Sequence, residues 1–227
     1  MKRPKSDIPS GTTERLIREY EQVGPFSSRL MEYVLNDQVV GQRWYDQDGD
    51  LILETPIKDG KKHGREYRWD FDGTLMSVEP YVNGKINGLA KQYGRKGRVI
   101  GTYRMNHGTG LDVWRQEWSD GSISIAEIHS MKNGSPHGYE LWFSGKHPTL
   151  WHERHWHEGN YHGIERMWNE KGKLRRGYPK YLNHGQKVTK RQYLKAAQSD
   201  KTLPPYRDKD NTPRRKFPTE IEQLLSV

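Results

Sequence analysis

Between Glu66 and Phe71 rings and charges alternate: Tyr67, Trp69 and Phe71 hold the odd positions, Glu66, Arg68 and Asp70 the even ones. A period of two predicts a strand with one apolar and one solvated face. Asp72-Gly73 follows, which supplies a residue able to take positive φ, and predicts a hairpin turn. The chain returns through Thr74–Val82 to a second turn signal at Asn83-Gly84. The order recurs: an aromatic, a glycine four residues on, an apolar residue two further. It stands as Tyr45, Gly49, Leu51, as Trp69, Gly73, Leu75, as Tyr93, Gly97, Val99 and as Trp168, Gly172, Leu174. Trp118, Gly121, Ile123 reads as the same order with one residue deleted.

A second glycine pair keeps step with the first. Gly60 is followed by Gly64, Gly84 by Gly88, Gly134 by Gly138 and Gly159 by Gly163. The leading glycines stand at 60, 84, 108, 134, 159 and 185, so the steps are 24, 24, 26, 25 and 26 residues. A fixed period of this size is the signature of a repeat array. Six units are expected, over 36–59, 60–83, 84–107, 108–133, 134–158 and 159–184, each one β-hairpin. The expected fold is mainly β, an elongated single-layer antiparallel meander with helical caps at both ends. A lone hairpin is marginal in water, but adjoining ones share a continuous apolar face. Two units break the pattern: Asn106-His107-Gly108-Thr109-Gly110 shortens the pentad, and Lys146-His147-Pro148 stands where an apolar residue belongs.

The flanks read differently, which gives three segments, 1–35, 36–185 and 186–227. Residues 1–11 are polar and read as a loose tail. From Thr12, Leu16, Ile17, Tyr20 and Val23 recur at helical spacing, Gly24-Pro25 punctuates, and Ser27 or Ser28 could cap a second helix carrying Leu30, Met31 and Val34. After the array, Thr189-Lys190-Arg191-Gln192 is a capping box ahead of Tyr193, Leu194 and Ala197. Residues 199–218 are rich in proline and charge and read as an extended linker. Thr219-Glu220-Ile221-Glu222 predicts a last short helix with Leu224 and Leu225.

Composition narrows the function classes. The absence of cysteine excludes disulfides, Cys-based zinc sites and a thiol nucleophile. The formal charge of +9, with 29 acidic residues among 38 basic ones, biases encounters towards acidic partners without specifying one. No apolar run follows the first residues and none reaches the length of a membrane span, so neither signal peptide nor span is expected and a cytoplasmic location is the default. No G-x-S-x-G elbow, P-loop, H-E-x-x-H or dinucleotide fingerprint occurs, so neither enzyme activity nor a cofactor is expected.

Asp59-Gly60-Lys61-Lys62-His63-Gly64, Asn133-Gly134-Ser135-Pro136-His137-Gly138 and Glu158-Gly159-Asn160-Tyr161-His162-Gly163 resemble the MORN repeat in its bacterial variant, over about residues 36–185. The resemblance implies a single-layer antiparallel sheet with a shallow groove. It also implies a binding protein of antitoxin-like or scaffolding character rather than a catalyst. Gly64, Trp69, Gly73, Gly88, Tyr93, Gly97, Gly138, Gly163, Trp168 and Gly172 are then structural positions of the repeat.

Candidate binding residues come from the other side of the strands. With Trp69, Tyr93, Trp118, Phe143 and Trp168 on the buried face, the opposite side carries Arg68, Gln92, Glu117, Trp142 and Met167. Arg68, Arg115, Trp142 and Met167 are the candidate partner-binding residues, since exposed rings and arginines are the usual anchors of a protein interface. In this reading Trp142 and Met167 form an apolar strip flanked by Arg115 and by His155 or His157, unless the helical ends cover it. The basic runs Arg95-Lys96-Gly97-Arg98, Arg175-Arg176 and Arg214-Arg215-Lys216 leave nucleic acid or anionic lipid as the alternative partner. His155 and His157, sharing a strand face with Glu153, are the candidate metal ligands. An open sheet offers little enclosure, so a plain strand face is the expected reading. His63, His137 and His162 share one repeat slot and are expected to be structural.

Overall fold

A computed structural model describes residues 4–19 and 29–226. It is mainly β, 54% strand and 11% helix, and divides into two compact units, Met1–Gly108 and Thr109–Val227. The first unit contains β1 (Thr13–Arg18), β2 (Arg29–Leu35), β3 (Gln38–Tyr45), β4 (Leu51–Lys58), β5 (Lys61–Lys62), β6 (Gly64–Trp69), β7 (Leu75–Val82), β8 (Lys85–Ile86), β9 (Gly88–Tyr93) and β10 (Val99–Met105). The second contains β11 (Gly110–Glu117), β12 (Ile123–Lys132), β13 (Ser135–Ser144), β14 (Thr149–His157), β15 (Asn160–Tyr161), β16 (Gly163–Met167), β17 (Lys180–Asn183) and β18 (Gln186–Val188), then α1 (Lys190–Ser199) and α2 (Thr219–Leu225). In both sheets each long strand pairs antiparallel with the next in sequence, so both are meanders. Among the described residues no helix is long and apolar enough to cross a membrane.

Two turn types alternate, and the glycine pattern dictates both. At Asp59-Gly60, Asn83-Gly84, Asn133-Gly134, Glu158-Gly159 and His184-Gly185 both residues have positive φ, as a two-residue hairpin turn of the primed kind requires. At the opposite strand ends Gly49, Gly73, Gly97, Gly121 and Gly172 donate to the carbonyls of Asp46, Asp70, Gly94, Trp118 and Asn169, three residues back. Those same five residues donate in turn to the residue after the glycine, closing a three-residue loop with a left-handed glycine.

This register corrects one alignment. Trp118 occupies the slot of Asp70 and Asn169, so Glu117, not Trp118, is the counterpart of Trp69, and no residue is deleted there.

The second glycine of each pentad is held by contact. A Cβ on Gly64 would lie 3.0 Å from Pro56, on Gly88 3.2 Å from Pro80, on Gly138 3.1 Å from Ser130, and on Gly163 2.7 Å from Cβ of His155. Gly163 also has φ +140. Gly163→Ala should therefore cost about 2–4 kcal/mol through overpacking and backbone strain. Denaturant midpoints of the two proteins measure it, and a difference below about 0.5 kcal/mol, the scatter of neutral surface changes, would refute the contact argument.

Among the described residues the helical lead-in is not formed. Leu16 and Ile17 lie in β1, and Leu30, Met31 and Val34 lie in β2, which is paired along both edges. A short apolar run fits either period, and the ladder decides it. The part of that expectation resting on Tyr20, Val23, Gly24-Pro25, Ser27 and Ser28 lies outside the described residues. The first residues are not wholly loose either: Asp7 accepts from the backbone and guanidinium of Arg65, and Ile8 packs against Gly41, where a side chain would collide with it. Leu51, Tyr67 and Trp69 form the core beside them, with Tyr45, Leu75 and Val78.

At the other end α1 begins with the expected capping box, Thr189 with Gln192. Helix α2 forms as expected but is capped otherwise: Pro218 is its N-cap, and Glu222 accepts from the Phe217 N–H at 2.6 Å. Residues 200–218 are not an open linker. They run as a strap over one face of the second sheet, burying Leu203 and Phe217. Ile164, Tyr181, Tyr193 and Leu203 pack into one cluster there.

Candidate functional site

Strand pairing sorts the second sheet into rows. One row on one face runs Trp114, Glu127, Trp142, His152, Met167, each opposite the next across a strand boundary. The neighbouring row on that face runs Asp112, His129, Glu140, Arg154, then Glu165 and Lys180. Its charges alternate in sign across six strands, and opposite charges facing one another stabilise a sheet. His129 lies 2.9 Å from Glu127 and 3.4 Å from Glu140. Arg154 reaches Glu165 at 3.4 Å, and Lys180 reaches it at 3.3 Å.

The rings of this face are packed into the charges. Trp142 stacks on His152 with centroids 4.6 Å apart, and the Arg154 guanidinium lies 5.0 Å from the Trp142 ring centroid and 5.2 Å from that of Tyr161. Burial works against a charge on His129, yet its bonds to Glu127 and Glu140 hold its pKa up to about 9. The His152 bond outweighs burial at Glu165 and, with Lys180, holds its pKa down to about 2. A carboxylate held that firmly ionised is a poor general base, so the row is suited to fixing shape and charge rather than moving protons.

The other face is closed by the strap. Arg166 and Arg215 each donate to Oε1 of Glu153 at 2.7 Å, and all three are buried or nearly so. Arg215 also reaches Tyr139 at 3.3 Å and Asp210 at 3.7 Å, while Arg166 donates to Asn211 at 3.1 Å. The Trp168 indole N–H donates to the Asn211 carbonyl at 3.3 Å.

The predicted site residues divide accordingly. Trp142 and Met167 do share a face, in one row on either side of His152, but they are half-buried rather than an open strip. Arg115 does not flank them. It follows Trp114, which is on the Trp142 face, and alternation sends Arg115 to the other side. Arg68 is exposed on β6 of the first unit, opposite Leu53 and Ser77. Gln92, expected outward, is buried, and Tyr93 is only half-buried. His152, Arg154, Glu165 and Lys180 were not predicted. A signal existed, since Glu66, Glu140 and Glu165 all stand six residues after a leading glycine.

Among the described residues His155, His157 and Glu153 are not brought together as a set of ligands. Glu153 is held by two arginines, and His155 sits against the Tyr139 ring with Nδ1 2.8 Å from the His162 carbonyl. Among the described residues one trio is spaced for an ion, His162, His184 and Asp200. Its chemistry is wrong for one. His162 Nδ1 accepts the His184 N–H at 3.1 Å, which places the ring proton on Nε2, towards Thr202 at 2.9 Å. A metal-ligating histidine needs a free pair at one nitrogen and a donor at the other, and the pair of His162 is already taken by the His184 N–H. In the same slot His137 likewise accepts the Glu158 N–H and Asn87 that of His107, whereas the buried Nδ1 of His63 has no hydrogen-bond partner among the described residues.

Compared with known proteins, the chain matches no family model and has no significant match among curated proteins.

Proposed function

We propose that this chain is a non-enzymatic scaffold of six MORN-like hairpin repeats that binds a protein partner through the Trp142 face of its second unit. The strap and the two C-terminal helices form its cap, whereas the N-terminal end is closed by strands. The carrying observation is the asymmetry of the second sheet: its own chain covers the Glu153 side, and Trp142 with Met167 stays half-exposed among fixed charges on the other. Half-buried rings beside a pre-positioned arginine match the anchors of protein interfaces. An antitoxin or immunity role follows from the MORN resemblance. The nucleic-acid and lipid alternative is weakened by Arg215, the middle of one basic run, which is committed to Glu153.

The test compares wild type with Trp142→Ser as bait in cross-linked extracts of the native host at physiological salt. A partner captured by wild type should bind the variant at least about tenfold more weakly, as loss of a hot-spot ring predicts. Equal capture by both, or capture that vanishes with nuclease or moderate salt, would refute the reading.

A further inference from the structure

The turn edge of the second sheet carries a column of histidine rings. His137 lies 4.7 Å from His157, His157 5.5 Å from His162, and His162 4.3 Å from His184. Two of the four serve as acceptors for backbone N–H groups at left-handed turn residues, Glu158 and His184. An imidazole can accept only while neutral, because protonation makes both nitrogens donors. His162 also anchors the strap: its Nε2 donates to the Thr202 hydroxyl, which bonds to Asp200 at 2.5 Å. We propose that the His137–His157–His162–His184 column is an acid-sensitive catch that holds the C-terminal strap closed while His137 and His162 are neutral and loosens it when they charge.

The surroundings set the direction. His137 faces His157, Lys132 and Glu158, and burial first, then His157 and Lys132, lower its pKa against the pull of Glu158. His162 faces His184, His157 and Asp200. Burial and His184 lower its pKa, and Asp200, 3.4 Å from His162 and 3.9 Å from His184, opposes them. His155, beside His162, is pushed down to about 4, chiefly by burial. Histidines with folded pKa below the unfolded value take up protons on unfolding. The stability they contribute is therefore complete above about 6.5 and lost as pH falls below it.

Nature supplies the control. Asn87 fills the same slot and accepts the same kind of turn N–H without titrating. Hydrogen exchange of amides in residues 200–218, corrected for intrinsic rate, should accelerate several-fold between pH 7.5 and 5.5 in wild type, and show no such acceleration in His137→Asn/His162→Asn. Unchanged wild-type exchange, or equal acceleration in the double variant, would overturn the proposal. Should the variant not fold, ring titrations by NMR in the intact wild-type chain decide. His137 and His162 must charge below the ordinary histidine range, and titration at or above it defeats the idea.

Discussion

Glu153→Ala is expected to destabilise the second unit by about 3–5 kcal/mol, the cost of leaving buried charges without their counterion. Glu153 is 1% exposed and is the single carboxylate on which Arg166 and Arg215 both converge. Its removal leaves two guanidinium groups facing each other under the strap, with Asp210 3.7 Å from only one of them. Replacing all three, as Glu153→Leu/Arg166→Met/Arg215→Met, should recover most of the loss, because an apolar trio of similar volume avoids the desolvation penalty. Urea unfolding followed by tryptophan fluorescence measures both. A Glu153→Ala loss below about 1 kcal/mol would show that water reaches the cluster and screens it.

Trp168→Ala should cost a similar amount, about 3–5 kcal/mol, as truncation of a buried aromatic does. The ring is 1% exposed, and its N–H fixes the strap at Asn211. Trp168→Phe separates the two contributions: it keeps most of the buried area and should lose only about 1–2 kcal/mol, for one hydrogen bond and some packing. Equal losses in the two variants would place the whole effect on the strap contact. A loss under about 1 kcal/mol in both would mean that the strap does not hold this face closed.

The repeat was legible because its turns are local. Gly73 in one turn and Asn83-Gly84 in the other take positive φ, which those residue types adopt readily whatever surrounds them, and the rings between keep the strand period. The hairpin of β2 and β3 escaped because Asn36-Asp37 makes the same left-handed turn without a glycine, at φ 49 and 60. Arg115 was misplaced by phase. Aligning Trp118 with Trp69 shifts that strand by one residue, and one residue inverts every side chain. The strap was invisible because its contacts are distant: Arg215 meets Glu153 across 62 residues, and a segment rich in proline and charge gives no local sign of docking. In sequence Glu153 and Arg166 look like two more charges of a solvated face. Only the ladder shows that they are paired and buried.

The leading glycines do more than turn the chain. Gly84 donates its N–H to the Lys62 carbonyl, Gly108 to Ile86, Gly159 to Pro136 and Gly185 to Tyr161, so at four of the turns a hairpin is tied to the one before it by a bond between turns. A single inserted residue inside a hairpin would move its turn off the bond to the preceding one and its own acceptor off the next. A whole hairpin added or removed would leave every such bond in place. The protein is therefore tolerant of change in steps of one repeat and intolerant of change in steps of one residue, which makes duplication of complete units the natural route by which a chain like this grows.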